Sequence, residues 1–423
     1  MKIVGLITEY NPFHNGHAYH IAQAKKSTGA DFCIVVMSGN FVQRGTPAIL
    51  DKYARTEMAL AGGADLVLEL PVCYATGSAE YFASGAVTLL NHLNIVDSIC
   101  FGSECHNLHA LTFLAALLRK EPREYRFLLQ TYLRQGEPFP VARLRALQAY
   151  LCRTETTGGI SVPEMTEILS APNNILGIEY IKALMECHST MTPVTIRRRG
   201  SDYHEEALGN QFSSATAIRN VLEASGSTAL LKSIEKEVPD TVYQILAHSY
   251  GKTYPVDGSD FSLLFQYRLL QAASANDFAC YQDVTPELAD RIYKLRFSFT
   301  NYEDFVTLVK TKQFTEARIR RALLHILLNI RADGIDRIAS AGRHYYLRIL
   351  GFRKSSAELL RDIKQQSHLP IITKLADAAA VLDAQGLSML HQDLFAAHLY
   401  QSVVTNKYAG QPYNEYTKQL ILK

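Results

Sequence analysis

The chain opens on an apolar run, Ile3 to Ile7, which breaks at Thr8-Glu9-Tyr10-Asn11-Pro12 and resumes near His17 with apolar residues at helical spacing. Such a run, a polar break and a 3.6-residue period predict a strand, a loop and a helix. The alternation continues, with strands predicted at 3–8, 32–37, 66–70 and 98–101 and helices at 17–27, 52–61 and 78–93. Consecutive βα units predict an α/β fold: a doubly wound parallel sheet, Rossmann-like, that gathers ligands at the carboxyl ends of its strands. The stretch 108–173 reads as mainly helical, a helix at 173–187 leads to a short strand at 194–196, and a helix at 213–223 closes this part. Beyond Ala229 the pattern is nearly all helical, at 241–249, 261–273, 286–297, 302–310, 316–330 and 355–364. Ser225-Gly226-Ser227-Thr228 is the most linker-like point. The expected organisation is a catalytic domain over 1–225 followed by a mainly α-helical domain over 229–423.

The first predicted loop carries His14-Asn15-Gly16-His17. Two imidazoles three residues apart can project from one side of a first helical turn, where unpaired N–H groups and the helix dipole already attract anions. Gly16 lets the backbone approach a ligand, and the histidines can donate hydrogen bonds to oxygens that gain charge as pyrophosphate leaves. A metal is the rival ligand: His14, His17 and His20 could supply imidazoles, but no clear thiol or carboxylate set completes a site. A second cluster, Gln211-Phe212-Ser213-Ser214-Ala215-Thr216-Ala217-Ile218-Arg219, reads as a loop with Ser213 or Ser214 capping a helix that bears Thr216 and Arg219. Hydroxyls and exposed N–H groups at a helix start suit phosphate oxygens, and Arg219 adds a planar fork matched to phosphate. Either cluster alone is a modest signal.

Other candidates follow strands. Gln43 and Arg44 lie in the loop Ser38 to Gly45, where acetate or phosphate could meet the arginine. Lys52 and Arg55, one helical turn apart, either face the site or form a solvated face. Arg197, Arg198 and Arg199 precede Gly200, and a triphosphate or plain solvent would suit them.

Composition changes this picture little. With 423 residues and 48% hydrophobic content the chain can bury a large core. Its seven scattered cysteines form no CxxC pair, which suits reduced thiols. No apolar run reaches bilayer length and no signal-peptide profile opens the chain, so a cytoplasmic protein is expected. Charge adds more. The net charge is only +2, yet 291–364 hold sixteen Lys and Arg against seven Asp and Glu, whereas 1–120 hold eight against nine. A basic carboxyl-terminal region is the footprint of a nucleic-acid partner, with a solvated helical face as the alternative. Lys310, Lys312, Arg318, Arg320, Arg321, Arg348, Arg353 and Lys354 are the candidate contacts, interleaved with Tyr345, Tyr346 and Phe352, which could stack on unpaired bases or fill a core.

Together the two phosphate clusters resemble the signature of the HxGH nucleotidyltransferases, which are similar to class I aminoacyl-tRNA synthetases in clamping ATP between a first loop and a late Ser/Thr-rich loop. Further blocks narrow the resemblance to the bacterial tRNA(Met) cytidine acetate ligases. These are Gly5 to His17, Ser38 to Gly45, Phe101-Gly102-Ser103-Glu104, Asn173-Asn174-Ile175-Leu176-Gly177, the arginines before Gly200, Ser214 to Arg219 and Arg348-Ile349-Leu350-Gly351-Phe352. The resemblance covers nearly the whole chain and departs at Arg197 to Gly200, more basic here than is usual. It implies activation of acetate by ATP to acetyl-adenylate and transfer to N4 of the wobble cytidine of elongator tRNA(Met). It further implies an ATP cradle over Ile7, Thr8, Glu9, Tyr10, Asn11, Pro12, Phe13, His14, Asn15, Gly16, His17, Ala18, Tyr19 and His20, completed by Gly102, Asn173, Arg198 and Arg199, with Ser214 and Thr216 from the late loop. His14, His17 and Arg219 would be catalytic. Mg²⁺ is expected with the triphosphate, without a residue set that names its ligands. Two other functions compete: an adenylyltransferase for a small phosphorylated metabolite, against which the basic helical region argues, and a non-catalytic RNA-binding protein, against which His14, His17, Thr216 and Arg219 argue.

Overall fold

The computed structural model describes residues 1–154, 158–197, 213–224, 228–334 and 344–423. Arg198, Arg199 and most of the predicted linker lie outside the described residues.

Five parallel strands form the centre: β1 (Ile3–Thr8), β2 (Phe32–Ser38), β5 (Leu66–Leu70), β6 (Ser98–Ser103) and β7 (Thr192–Arg197), in the spatial order β5-β2-β1-β6-β7. Two short strands, β3 (Phe41–Val42) and β4 (Thr46–Pro47), pair as a separate antiparallel hairpin. Alternate residues of the central strands enter two different cores. Ile3, Ile34, Val36, Leu66 and Leu68 face one, while Val4, Leu6, Val35, Met37 and Val67 face the other. Strands buried on both faces read as the continuous apolar runs seen in the sequence.

Helices cover both faces. Ile21 and Ala24 of α1 (Asn15–Thr28) and Met58, Ala59 and Leu60 of α2 (Lys52–Ala61) fill the second core. Val72 to Ala75 of α3 (Val72–Ala75) and Ala83, Leu89 and Leu90 of α4 (Ala79–His92) fill the first. It extends through α5 (Leu108–Lys120), α6 (Arg123–Arg134), α7 (Phe139–Thr154), α8 (Val162–Ser170) and α9 (Pro172–Glu186), and α10 (Ala215–Glu223) lies in the second core through Ile218 and Leu222.

The carboxyl-terminal half is mainly helical, and it also builds the sheet edge. Strand β8 (Leu347–Phe352) pairs antiparallel with β5, and β9 (Ile371–Ile372) and β10 (Ile421–Leu422) each pair parallel with β8. The expectation that Arg348 meets RNA is therefore corrected. It sits in a buried strand, 4% exposed, and its guanidinium is held by Glu69 of β5 and Glu415. Tyr346 is likewise core. Lys52 is also buried, with Nζ 2.9 Å from Glu69 and 3.0 Å from Glu415. Helix Ala384–Tyr408 has no counterpart in the predicted elements: Asp393 and Gln401 are buried among its apolar residues, so it shows no single apolar stripe.

Candidate active site

The histidine loop is organised by a reciprocal cap. His14 is the N-cap of α1, its Nδ1 accepting from Gly16 N–H at 3.1 Å, while His14 N–H donates to Nδ1 of His17 at 3.2 Å. A ring nitrogen that accepts an N–H bears a lone pair, so each neutral imidazole carries its proton on Nε2. The rings lie against each other, centroids 3.7 Å apart. Both line one cavity, at a helix start where anions are stabilised. Beneath them Tyr10, in the left-handed region at φ 50°, packs edge-on against His17 and Phe13. A non-glycine residue held there costs about 1–3 kcal/mol, offset here by full burial of the ring.

The late loop closes on the first. Ser214 caps α10 by accepting from Ala217 N–H at 3.0 Å. Arg219 donates to Asn11 O at 2.7 Å and to Thr216 Oγ1 at 3.0 Å, tying the two clusters across 208 residues of chain. The cavity, of about 280 Å³, is lined by Ile7, Thr8, Glu9, Tyr10, Asn11, His14, Gly16, His17, Tyr19 and His20, by Gln43 and Arg44, by Gly102 and Asn173, and by Ser214, Thr216 and Arg219. Four positions of the expected cradle do not line this cavity. Pro12 and Phe13 are buried beneath the loop, Phe13 against Gly62. Asn15 donates to Lys236 O and Glu237 O, and Ala18 packs on the core, so these four hold the loop rather than line the cavity. Arg197 lines the cavity. Among the described residues no three His, Cys, Asp or Glu side chains form a metal cluster.

Arg55 takes neither of the two expected places: it is not on the cavity lining and it is not solvated. It is buried, and its guanidinium donates to Glu9 O at 2.7 Å, Ser38 O at 3.0 Å and Gly39 O, with Nε on Leu50 O at 3.1 Å. It gathers the carbonyls of two cavity loops, a task that suits a five-donor fork. Glu9 in turn accepts from Gln43 N–H at 2.9 Å, so the loop bearing Gln43 and Arg44 is fastened to the first loop.

That loop also rests on the helical half. Gly45 is at φ 78°, and a Cβ there would lie 2.3 Å from Arg321 N and 2.5 Å from the Arg320 carbonyl carbon. Gly45→Ala is expected to lose about 1–3 kcal/mol of stability. It should also displace Gln43 and Arg44, visible as a lower melting temperature with weaker nucleotide binding in titration. An unchanged melting curve would contradict this packing.

The candidate RNA contacts are distributed unevenly. Arg320 is paired with Glu303 and Glu316, Arg321 with Asp283, and Lys310 with Glu316. Arg318 lies over the Phe314 ring, Arg353 donates to Leu60 O, and Lys312 and Lys354 are exposed. Among the described residues no helix is long and apolar enough to cross a membrane.

A doubly wound sheet that opens on a capped HxGH helix and closes on a Ser/Thr-Arg loop defines a nucleotidyltransferase, and the family described as HIGH Nucleotidyl Transferase matches residues 1–415. Curated relatives include the tRNA(Met) cytidine acetate ligases of Thermoanaerobacter sp. (strain X514), 44% identical over 96% of each chain, and Acetivibrio thermocellus, 39% identical over all of both. The chain belongs to the tRNA(Met) cytidine acetate ligase family. Among solved structures, apo Thermotoga maritima TmcAL superposes with a TM-score of 0.92 at 32% identity, over 100% of this chain and 99% of that one. The same protein bound with alpha-thio ATP gives 0.90.

Proposed function

We propose that the cavity binds ATP and that the chain ligates acetate to N4 of the wobble cytidine of elongator tRNA(Met). The observation that carries this reading is the reciprocal cap, which holds two imidazoles on the lining of a cavity that Thr216 and Arg219 also line. An acetate oxygen attacks the α-phosphorus, the bond to the bridging oxygen breaks, and pyrophosphate departs with the developing charge. His14 and His17 donate to those oxygens, and Arg219 places a fixed positive charge beside them. The cytidine N4 then attacks the acetyl carbonyl and loses a proton, and AMP leaves. The names of the relatives and the alpha-thio ATP in the Thermotoga protein support this assignment. Glu9 is a carboxylate of the cavity lining, and Mg²⁺ would be held by it together with triphosphate oxygens and water. Gln43 and Arg44, also on the cavity lining, would meet the acetate or a phosphate.

The test is direct. Protein, ATP, labelled acetate and bulk bacterial tRNA are incubated and the RNA is digested to nucleosides. Labelled N4-acetylcytidine is expected, and its absence while ATP binds would sink the assignment. For the tRNA surface, the residues without a carboxylate partner among the described residues matter most. Neutralising Lys312, Arg318 and Lys354 together is expected to weaken tRNA binding and reduce its salt slope by about 2–3 while sparing ATP binding. A slope unchanged from wild type would move the RNA surface elsewhere.

A further inference from the structure

One part of the cavity is built differently from the histidine loop. Phe101, Leu176, Tyr180 and Ile196 line it, with Gly102 and Asn173 beside them. These residues adjoin one another: Gly102 pairs with Ile196 across β6 and β7, the Phe101 and Tyr180 rings are 5.7 Å apart, and Asn173 lies at the start of the helix that carries Leu176 and Tyr180. An apolar slot with a side-chain amide at its edge suits a base, whereas the donor-rich histidine loop suits phosphates.

Asn173 is not free to present either end of its amide. Its Nδ2 donates to Glu104 Oε1 at 2.6 Å, and its backbone N–H donates to the same oxygen at 3.3 Å. Glu104 Oε2 accepts Asn174 N–H at 2.9 Å, and Asn174 Oδ1 answers by accepting Glu104 N–H at 3.0 Å and Cys105 N–H at 3.2 Å. A carboxylate only accepts, so the NH₂ group must face Glu104 whatever else binds. The amide is thereby held in one of its two orientations, with Oδ1 and the second Nδ2–H left to meet a ligand. Glu104 itself is absent from the cavity lining.

We infer that Glu104 is a positioning residue: by fixing the amide of Asn173 it presents Oδ1 to the 6-amino group of adenine and makes the site prefer ATP over GTP. The inference rests on the ATP reading above and deepens it. Adenine offers a donor at position 6, where guanine offers an acceptor, and two facing acceptors leave a partly buried polar pair unsatisfied. In Glu104→Gln the new amide can donate or accept, so Asn173 can turn over and the discrimination relaxes.

The experiment follows acetate-dependent pyrophosphate release with ATP, GTP and the 2′- and 3′-deoxy forms of ATP. In the wild type kcat/KM is expected to favour ATP over GTP by at least about 10-fold. In Glu104→Gln that ratio falls severalfold, through a higher KM for ATP and an unchanged or lower KM for GTP, while kcat with ATP stays within about threefold. Asn173→Ala serves as a second variant, because Glu104 keeps both backbone N–H partners there, and it should show the same loss of discrimination if Glu104→Gln fails to fold. A variant that loses ATP and GTP turnover in equal proportion overturns the inference, since that is the mark of a merely structural clamp. So does a KM increase that vanishes with a deoxy-ATP, since Asn173 would then read the ribose. A wild type that turns over neither nucleotide would overturn the ATP reading itself, and this inference with it.

Discussion

His17→Ala is expected to slow pyrophosphate release by about 10²- to 10³-fold, the usual effect of removing one donor aimed at developing charge. The loss should fall on kcat, because the donor matters most when the bridging oxygen becomes a leaving group. His14 requires a different substitution, since its Nδ1 also caps α1 and alanine would remove that cap, at about 1 kcal/mol. His14→Asn keeps a side-chain acceptor for the helix start but has no counterpart of Nε2–H in the same place. It is expected to melt near the wild-type temperature while slowing adenylation by about 10²-fold. Single-turnover pyrophosphate release measures both variants, and wild-type rates would refute the proposed role of the cap.

Glu415→Ala is expected to cost about 3–5 kcal/mol of stability, because it leaves the single carboxylate of Glu69 against the two buried cations of Lys52 and Arg348. Burial alone would raise the Glu415 carboxyl, but Lys52 and Arg348 hold it down at about 2. A carboxylate whose folded pKa lies below its unfolded value of about 4.3 stabilises the fold above that value, and the contribution disappears as pH falls towards 2. Denaturant unfolding of the wild type should therefore weaken between about pH 5 and pH 2. In Glu415→Ala that part of the acid dependence should be missing. An equal acid limb in both proteins would show that the four-residue cluster does not couple Glu415 to the sheet.

The central sheet was legible because its strands are apolar on both faces, and α2 and β5 fall where periodicity put them. Both phosphate clusters were legible because caps and hydroxyls occur at helix starts for recognisable reasons. The rest depended on distant contacts. Arg55 and Lys52 read as an i, i+3 pair facing either the site or solvent until the carbonyls of Glu9, Ser38 and Gly39 and the carboxylates of Glu69 and Glu415 close around them. Arg348 stood among basic and aromatic residues and read as a nucleic-acid contact, because nothing local reveals that its strand pairs with β5. Phe13 lies inside the most informative motif of the chain yet is buried, since motif membership does not say which way a side chain points.

The pairing of β8 with β5, Leu66 opposite Phe352, has a consequence for biosynthesis. At ribosomal rates of about 5–20 residues per second, β5 emerges roughly 15 to 60 seconds before the strand that covers its edge. During that interval a strand apolar but for Glu69 borders a growing sheet with its N–H and C=O groups unpaired, the arrangement that recruits foreign strands. The nascent chain thus exposes for most of its synthesis a surface that the finished enzyme never shows, and trigger-factor-like shelter or slow self-association should be decided at that edge.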